Sequence, residues 1–98
     1  MTTRSRLGDA EIDAALRMLP AWTRNGDRLR LEHEFTDFAE AFTFMTAMAL
    51  VSQALDHHPD WRNVYRRVEI TLWTHDASGL TALDLEWARA AQAKLPQR

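Results

Sequence analysis

Two alternating segments joined across Asn25-Gly26 constrain this chain more than any other feature. Trp22-Thr23-Arg24 reads as a short strand, and Asn25-Gly26 is a two-residue turn in which both positions tolerate positive φ. Beyond it Leu29, Leu31, His33 and Phe35 fall on one face and Arg28, Arg30, Glu32 and Glu34 on the other. A second alternation comes later. Asn63-Val64-Tyr65 begins extended structure, then Val68, Ile70, Leu72 and Thr74 alternate with Glu69, Thr71, Trp73 and His75. Strands that are apolar on one face form a sheet that must be covered on one side.

The remaining segments supply the cover. Asp9 is expected to cap a first helix with Ile12, Ala15, Leu16 and Leu19 on its apolar face, stopped by Pro20. Asp37 and Glu40 make a capping-box-like start to a long helix. Its stripe is Phe38, Phe42, Met45 and Ala49, widened by Phe44, Met48, Val51 and Leu55. That is more apolar surface than one side of a surface helix needs, so self-association through this helix is expected. Asp76 to Gly79 reads as a loop. Thr81 and Asp84 then open a last helix, with Leu80 and Leu85 as a hydrophobic staple and Leu85, Ala88, Gln92 and Leu95 along its inner side. The order α-β-β-α-β-β-α predicts one α+β domain over residues 1–98: about four antiparallel strands with helices on one face. Residues 1–6 are expected to be disordered.

Composition narrows the function. A chain of 98 residues holds one core, and a formal charge of −2 leaves no basic footprint for nucleic acid. The absence of cysteine excludes disulfides, thiolate metal sites and cysteine nucleophiles, and fits a reducing cytoplasm. Met1 to Gly8 carries no apolar leader core. The apolar stretch Phe38 to Leu55 is broken by Glu40, Thr43, Thr46, Ser52 and Gln53, so it reads as a core helix and not as a membrane span. A soluble cytoplasmic domain without membrane attachment is expected.

Chemistry concentrates in the histidines. His57-His58-Pro59-Asp60-Trp61 and His75 place three of the chain's four histidines within 19 positions. Imidazole both gives and takes protons near neutrality, so the cluster points to acid–base work. Each residue also has a plainer reading. Adjacent histidines often cap the preceding helix, Pro59 can end that helix, and Trp61 and Trp73 can cover the sheet. Tyr65 reads as packed, Asp84 as a capping residue, and His33 as a buried, hydrogen-bonded histidine beside Leu31 and Phe35. His75 shares the parity of Trp73, opposite Val68, Ile70 and Leu72, which argues against a core role. Three imidazoles could also bind zinc, but no H-E-x-x-H spacing appears, and no metal is expected.

Taken together, His57-His58-Pro59, Tyr65, His75 and Asp84 resemble the signature of the pterin-4a-carbinolamine dehydratases. Asp37-Phe38, Ala41-Phe42, Phe44-Met45-Thr46, Asn63-Val64-Tyr65, Thr74-His75 and Gly79-Leu80-Thr81 agree, from about Leu7 to Gln92. One position departs. The family usually has an ionisable residue four positions before the first histidine, and Gln53 stands there. An amide can orient a histidine by hydrogen bonding but cannot lend it a negative charge.

The resemblance implies loss of water from a 4a-hydroxytetrahydropterin to give the quinonoid dihydropterin, recycling the pterin (tetrahydrobiopterin in many organisms) used in aromatic amino-acid hydroxylation. No cofactor is implied, since the pterin is the substrate. His58 and His75 are then expected as acid and base, in either order, and His57 as an orienting or binding residue. Trp61 or Trp73 is expected to stack on the pterin, Asp60 or Asp76 to accept its amino hydrogens, and Gln53, Pro59, Tyr65 and Asp84 to support the site. The family resemblance also implies a homodimer extending the sheet or a homotetramer through the long helices. A non-catalytic dimerisation or assembly module of the same fold is the alternative.

Overall fold

The computed structural model describes residues 5–96. The elements are α1 (Asp9–Leu16), β1 (Trp22–Asn25), β2 (Arg28–Glu34), α2 (Phe38–Leu55), β3 (Asp60–Val64), β4 (Arg67–Leu72) and α3 (Ala82–Lys94), with a 3₁₀ turn at His75–Ala77. The strands form one antiparallel sheet in the order β1-β2-β4-β3. The predicted α-β-β-α-β-β-α architecture is therefore the observed one. The predicted disorder of residues 1–6 lies, for residues 1–4, outside the described residues; Arg6 is described and bonds Asp27 Oδ1 at 3.0 Å.

Alternation explains the sheet. Leu29, Leu31 and Phe35 on β2 and just past it, and Val68, Ile70 and Leu72 on β4, are all buried. The register sets Leu31 opposite Ile70 and Leu29 opposite Leu72, so the two central strands share one apolar face. The opposite face carries an ion-pair lattice, with Glu32 near Arg30 and Arg67, and Glu69 near Arg30 and Arg62. Such exposed pairs contribute little each, and mainly keep that face wet.

The covering helices meet through one buried cluster. Trp87 of α3 is fully buried and edge-on to Trp22 at 6.1 Å and to Trp61 at 6.2 Å. Its Nε1 donates to Ser52 Oγ of α2 at 2.8 Å, and Ser52 donates in turn to the Met48 carbonyl at 2.7 Å. The indole is thus buried with its polar atom satisfied.

Several local expectations are corrected. The hairpin turn is centred on Gly26-Asp27, not on Asn25-Gly26, because Asn25 pairs with Arg28 as the last residue of β1. Gly26 takes φ +61 at the first central position, where a type II′ turn needs glycine. Gly8, not Asp9, is the N-cap of α1. That helix ends at Leu16, before Pro20: Leu19 precedes the proline, a position that disfavours helix, and its buried side chain anchors the turn into β1. β3 begins at Asp60, three residues earlier than Asn63-Val64-Tyr65 indicated, and His75–Ala77 replaces part of the expected loop.

The long helix differs most. Asp37 caps it as expected, accepting from the Glu40 amide at 2.8 Å, while the Glu40 carboxylate accepts from Thr36 N, one residue beyond a capping box. Ala41, Phe44, Met48 and Ser52 are its buried residues. Most of the stripe expected inside (Phe38, Phe42 and Ala49) faces outward instead, with Leu50. Both faces are apolar, so periodicity could not say which one meets the sheet. At 18 residues and mean hydropathy 1.3, α2 is long and apolar enough to cross a membrane by composition alone. Its side bearing Ala41, Phe44, Met48 and Ser52 packs against α3 and the sheet.

Candidate active site

His57 is placed by the way α2 ends. Asp56 adopts a left-handed conformation at φ 50, its amide bonds the Gln53 carbonyl at 3.3 Å, and the His57 amide bonds the Ser52 carbonyl at 3.1 Å. This pair of bonds is a Schellman motif. It turns the chain sharply and drives the His57 ring inward, where only 6% of it is exposed. Pro59 therefore does not end the helix, which stops four residues before it.

The inward ring meets Asp84, which is fully buried in the first turn of α3. His57 Nε2 and Asp84 Oδ1 are 2.5 Å apart. Asp84 Oδ2 accepts from the Thr81 amide at 2.9 Å and from Thr74 Oγ1 at 2.8 Å. Thr74 having spent its proton there, the 2.8 Å contact between Thr81 Oγ1 and Thr74 Oγ1 must be donated by Thr81. The carboxylate is then acceptor to every neighbour, so His57 donates to it from Nε2. The predicted capping box of Thr81 and Asp84 is present, and the capping carboxylate also holds a histidine.

His58 and His75 lie at the same end of the sheet. Pairing of β3 with β4 stops at Asp60 opposite Thr71. The residues entering β3 (His57, His58, Pro59) and those leaving β4 (Trp73, Thr74, His75) therefore emerge together, tied by the His57–Asp84–Thr74 bonds. Both His58 and His75 are exposed, as are Asp60 and Asp76 beside them. Trp73 is half-buried, 4.6 Å from the His75 ring centroid to centroid, with the Arg28 guanidinium 3.9 Å from its centre.

Other predicted residues fall elsewhere. Trp61 has the parity of its partner Ile70 and packs on the core side against Trp87. Tyr65 is not packed: it is 64% exposed, in the β3–β4 turn at φ 52. That is the far end of a five-residue strand, roughly 16 Å from where His58 enters it. Gln53 is exposed, and the partner that holds His57 is Asp84 instead. His33 is half-buried, not buried, 4.5 Å from Phe35.

Sequence reading missed Thr74, Ser52 and Arg28. Thr74 had a signal, a hydroxyl on the parity of Val68, Ile70 and Leu72. Arg28 had none, because only the β2–β4 register brings it beside Trp73. Among the described residues no three histidine or acidic side chains are grouped to hold a metal.

The geometry defines a class: a small α+β domain with a carboxylate-held histidine and two exposed histidines at one sheet end. The chain belongs to the pterin 4 alpha carbinolamine dehydratase family, whose model matches residues 5–94. A curated relative from Novosphingobium aromaticivorans, provisionally named a pterin-4-alpha-carbinolamine dehydratase, is 50% identical over 95 residues, 95% of this chain and 99% of that one. One of the same provisional name from Bradyrhizobium sp. (strain ORS 278) is 54% identical, covering 90% of each chain. A crystal structure from Brucella melitensis, described as a transcriptional coactivator/pterin dehydratase, is similar at TM-score 0.90 and 40% identity over 94% of this chain and 100% of that one. A pterin dehydratase-like protein identified as a RuBisCO assembly factor shares the fold, at TM-score 0.66 and 21% identity over 80% of this chain and 93% of that one.

Proposed function

We propose that this chain eliminates water from a 4a-hydroxytetrahydropterin by histidine general acid–base catalysis, returning quinonoid dihydropterin to the pool used in aromatic amino-acid hydroxylation. The observation that carries this reading is the convergence of His57, His58 and His75 at one end of the sheet, with His57 fixed by Asp84.

In the elimination the carbon–oxygen bond breaks as an imidazolium protonates the departing oxygen, which leaves as water. The adjacent ring nitrogen forms the C=N double bond, and a neutral imidazole takes its proton. The two imidazoles exchange protonation states, and a proton returns from one to the other through solvent before the next turnover, so atoms and charge balance with no further reactant. Such assistance contributes roughly a hundred- to ten-thousand-fold. His58 and His75 are exposed and free to meet a ligand, which supports giving them the acid and base roles. His57, committed through Nε2 to a buried carboxylate, is suited to binding or orienting through Nδ1. Asp60 and Asp76 are exposed carboxylates beside those histidines, of the chemistry that accepts the pterin's amino hydrogens.

We also assign the protein to the cytoplasm, on its lack of cysteine, and to a homo-oligomer. Phe38, Phe42 and Leu50 are 47%, 51% and 71% exposed along one side of α2, an apolar strip that a second copy would cover.

The test is dehydration of freshly generated 4a-hydroxytetrahydropterin, followed by absorbance, for wild type, His58→Ala and His75→Ala. Fast turnover in the wild type with large losses in both variants is expected. A folded wild type no faster than buffer would overturn the reading and leave the non-catalytic dimerisation or assembly module.

A further inference from the structure

His75 stands at the first residue of a 3₁₀ turn and is exposed to solvent. An imidazole on an open surface samples several staggered rotamers, and a proton donor or acceptor is effective only while aimed. Its ring contact is the Trp73 indole, two residues earlier, at 4.6 Å with the planes inclined by 49°. The indole is itself held. Leu29 pairs with Leu72, so the next residues outward, Arg28 and Trp73, adjoin on the open face of the sheet. There the Arg28 guanidinium sits 3.9 Å from the centre of the Trp73 ring, within cation–π range.

We propose that Arg28 and Trp73 are positioning residues for His75: the indole sets the imidazole's rotamer and the guanidinium pins the indole. This rests on His75 acting as acid or base, as proposed above. It also replaces the expectation that Trp73 stacks on the pterin, because the indole is already engaged by Arg28 and His75.

The two roles separate kinetically. A positioning role predicts that Trp73→Ala lowers kcat roughly tenfold with KM little changed. Trp73→Phe, which keeps an aromatic face, restores most of the loss, and Arg28→Met gives a smaller loss of the same kind. In a His75→Ala background, Trp73→Ala has no further effect on kcat. A raised KM with kcat retained, or an undiminished loss in the His75→Ala background, would overturn the proposal.

A spectroscopic reading is independent of activity. The Trp73 ring current shifts the His75 ring protons, so their NMR resonances should move toward free-histidine values in folded Trp73→Ala, and partly so in Arg28→Met. Unmoved His75 resonances in folded Trp73→Ala would equally overturn the stack. A wild type without dehydratase activity fails the functional reading alone, and those resonances still decide whether the stack holds the ring.

Discussion

His57 and Asp84, 27 residues apart, share a 2.5 Å hydrogen bond buried between the end of α2 and the start of α3. One carboxylate thereby holds the first inward side chain after α2 and caps the start of α3, with Thr74 as a third attachment. Removing it leaves three donors with no acceptor in a site closed to water.

Asp84→Ala is therefore expected to be strongly destabilising, at about 1–3 kcal/mol for each buried donor it strands. Urea denaturation measures this. A loss under about 1 kcal/mol would mean that water enters and replaces the carboxylate.

Asp84→Asn separates the cap from the histidine. The amide oxygen can still accept from the Thr81 amide, while its NH₂ turns toward His57. The imidazole proton then moves from Nε2 to Nδ1, a tautomer change read directly in the ¹⁵N shifts of the ring. Turnover should fall while the helix cap survives. An unchanged tautomer would sink this assignment of proton positions.

Ser52→Ala orphans the Trp87 indole N–H in the core. A cost of about 1–3 kcal/mol is expected. Because the loss comes from the stranded donor, Ser52→Ala should cost far less in a Trp87→Phe background. Equal costs in the two backgrounds would show that the hydrogen bond contributes nothing.

Tyr65 sits at φ 52, a left-handed conformation that penalises a residue with a Cβ, and its side chain is mostly exposed. Tyr65→Gly is expected to raise stability by about 0.5–1 kcal/mol by thermal denaturation. A destabilised variant would reveal that the ring is covered by a partner copy.

Phe42→Glu places a charge in the middle of the exposed apolar strip of α2. Light scattering at micromolar concentration should show the wild type as an oligomer and the variant as a smaller species with an unchanged circular dichroism spectrum. A monomeric wild type would remove the basis for self-association through this helix.

Much was legible from local rules. The apolar parity of Leu29, Leu31 and Phe35 and of Val68, Ile70 and Leu72 follows from the two-residue period of a strand. Asp37 and the Thr81–Asp84 pair announce helix starts because orphan amides need an acceptor within three residues. Those signals act over a few residues, so sequence alone determined the elements, their order and the sheet's buried face, and it brought the histidines to notice through a spaced resemblance. Only the tertiary structure decided which apolar face of α2 turns inward, since both satisfy the helical period and the choice depends on what the sheet offers. It also decided the bond from His57 to Asp84, the place of Thr74 between them, and the seating of Arg28 on Trp73. Those are distances through space between residues far apart in the chain, set by strand register and helix packing, and no local periodicity encodes them.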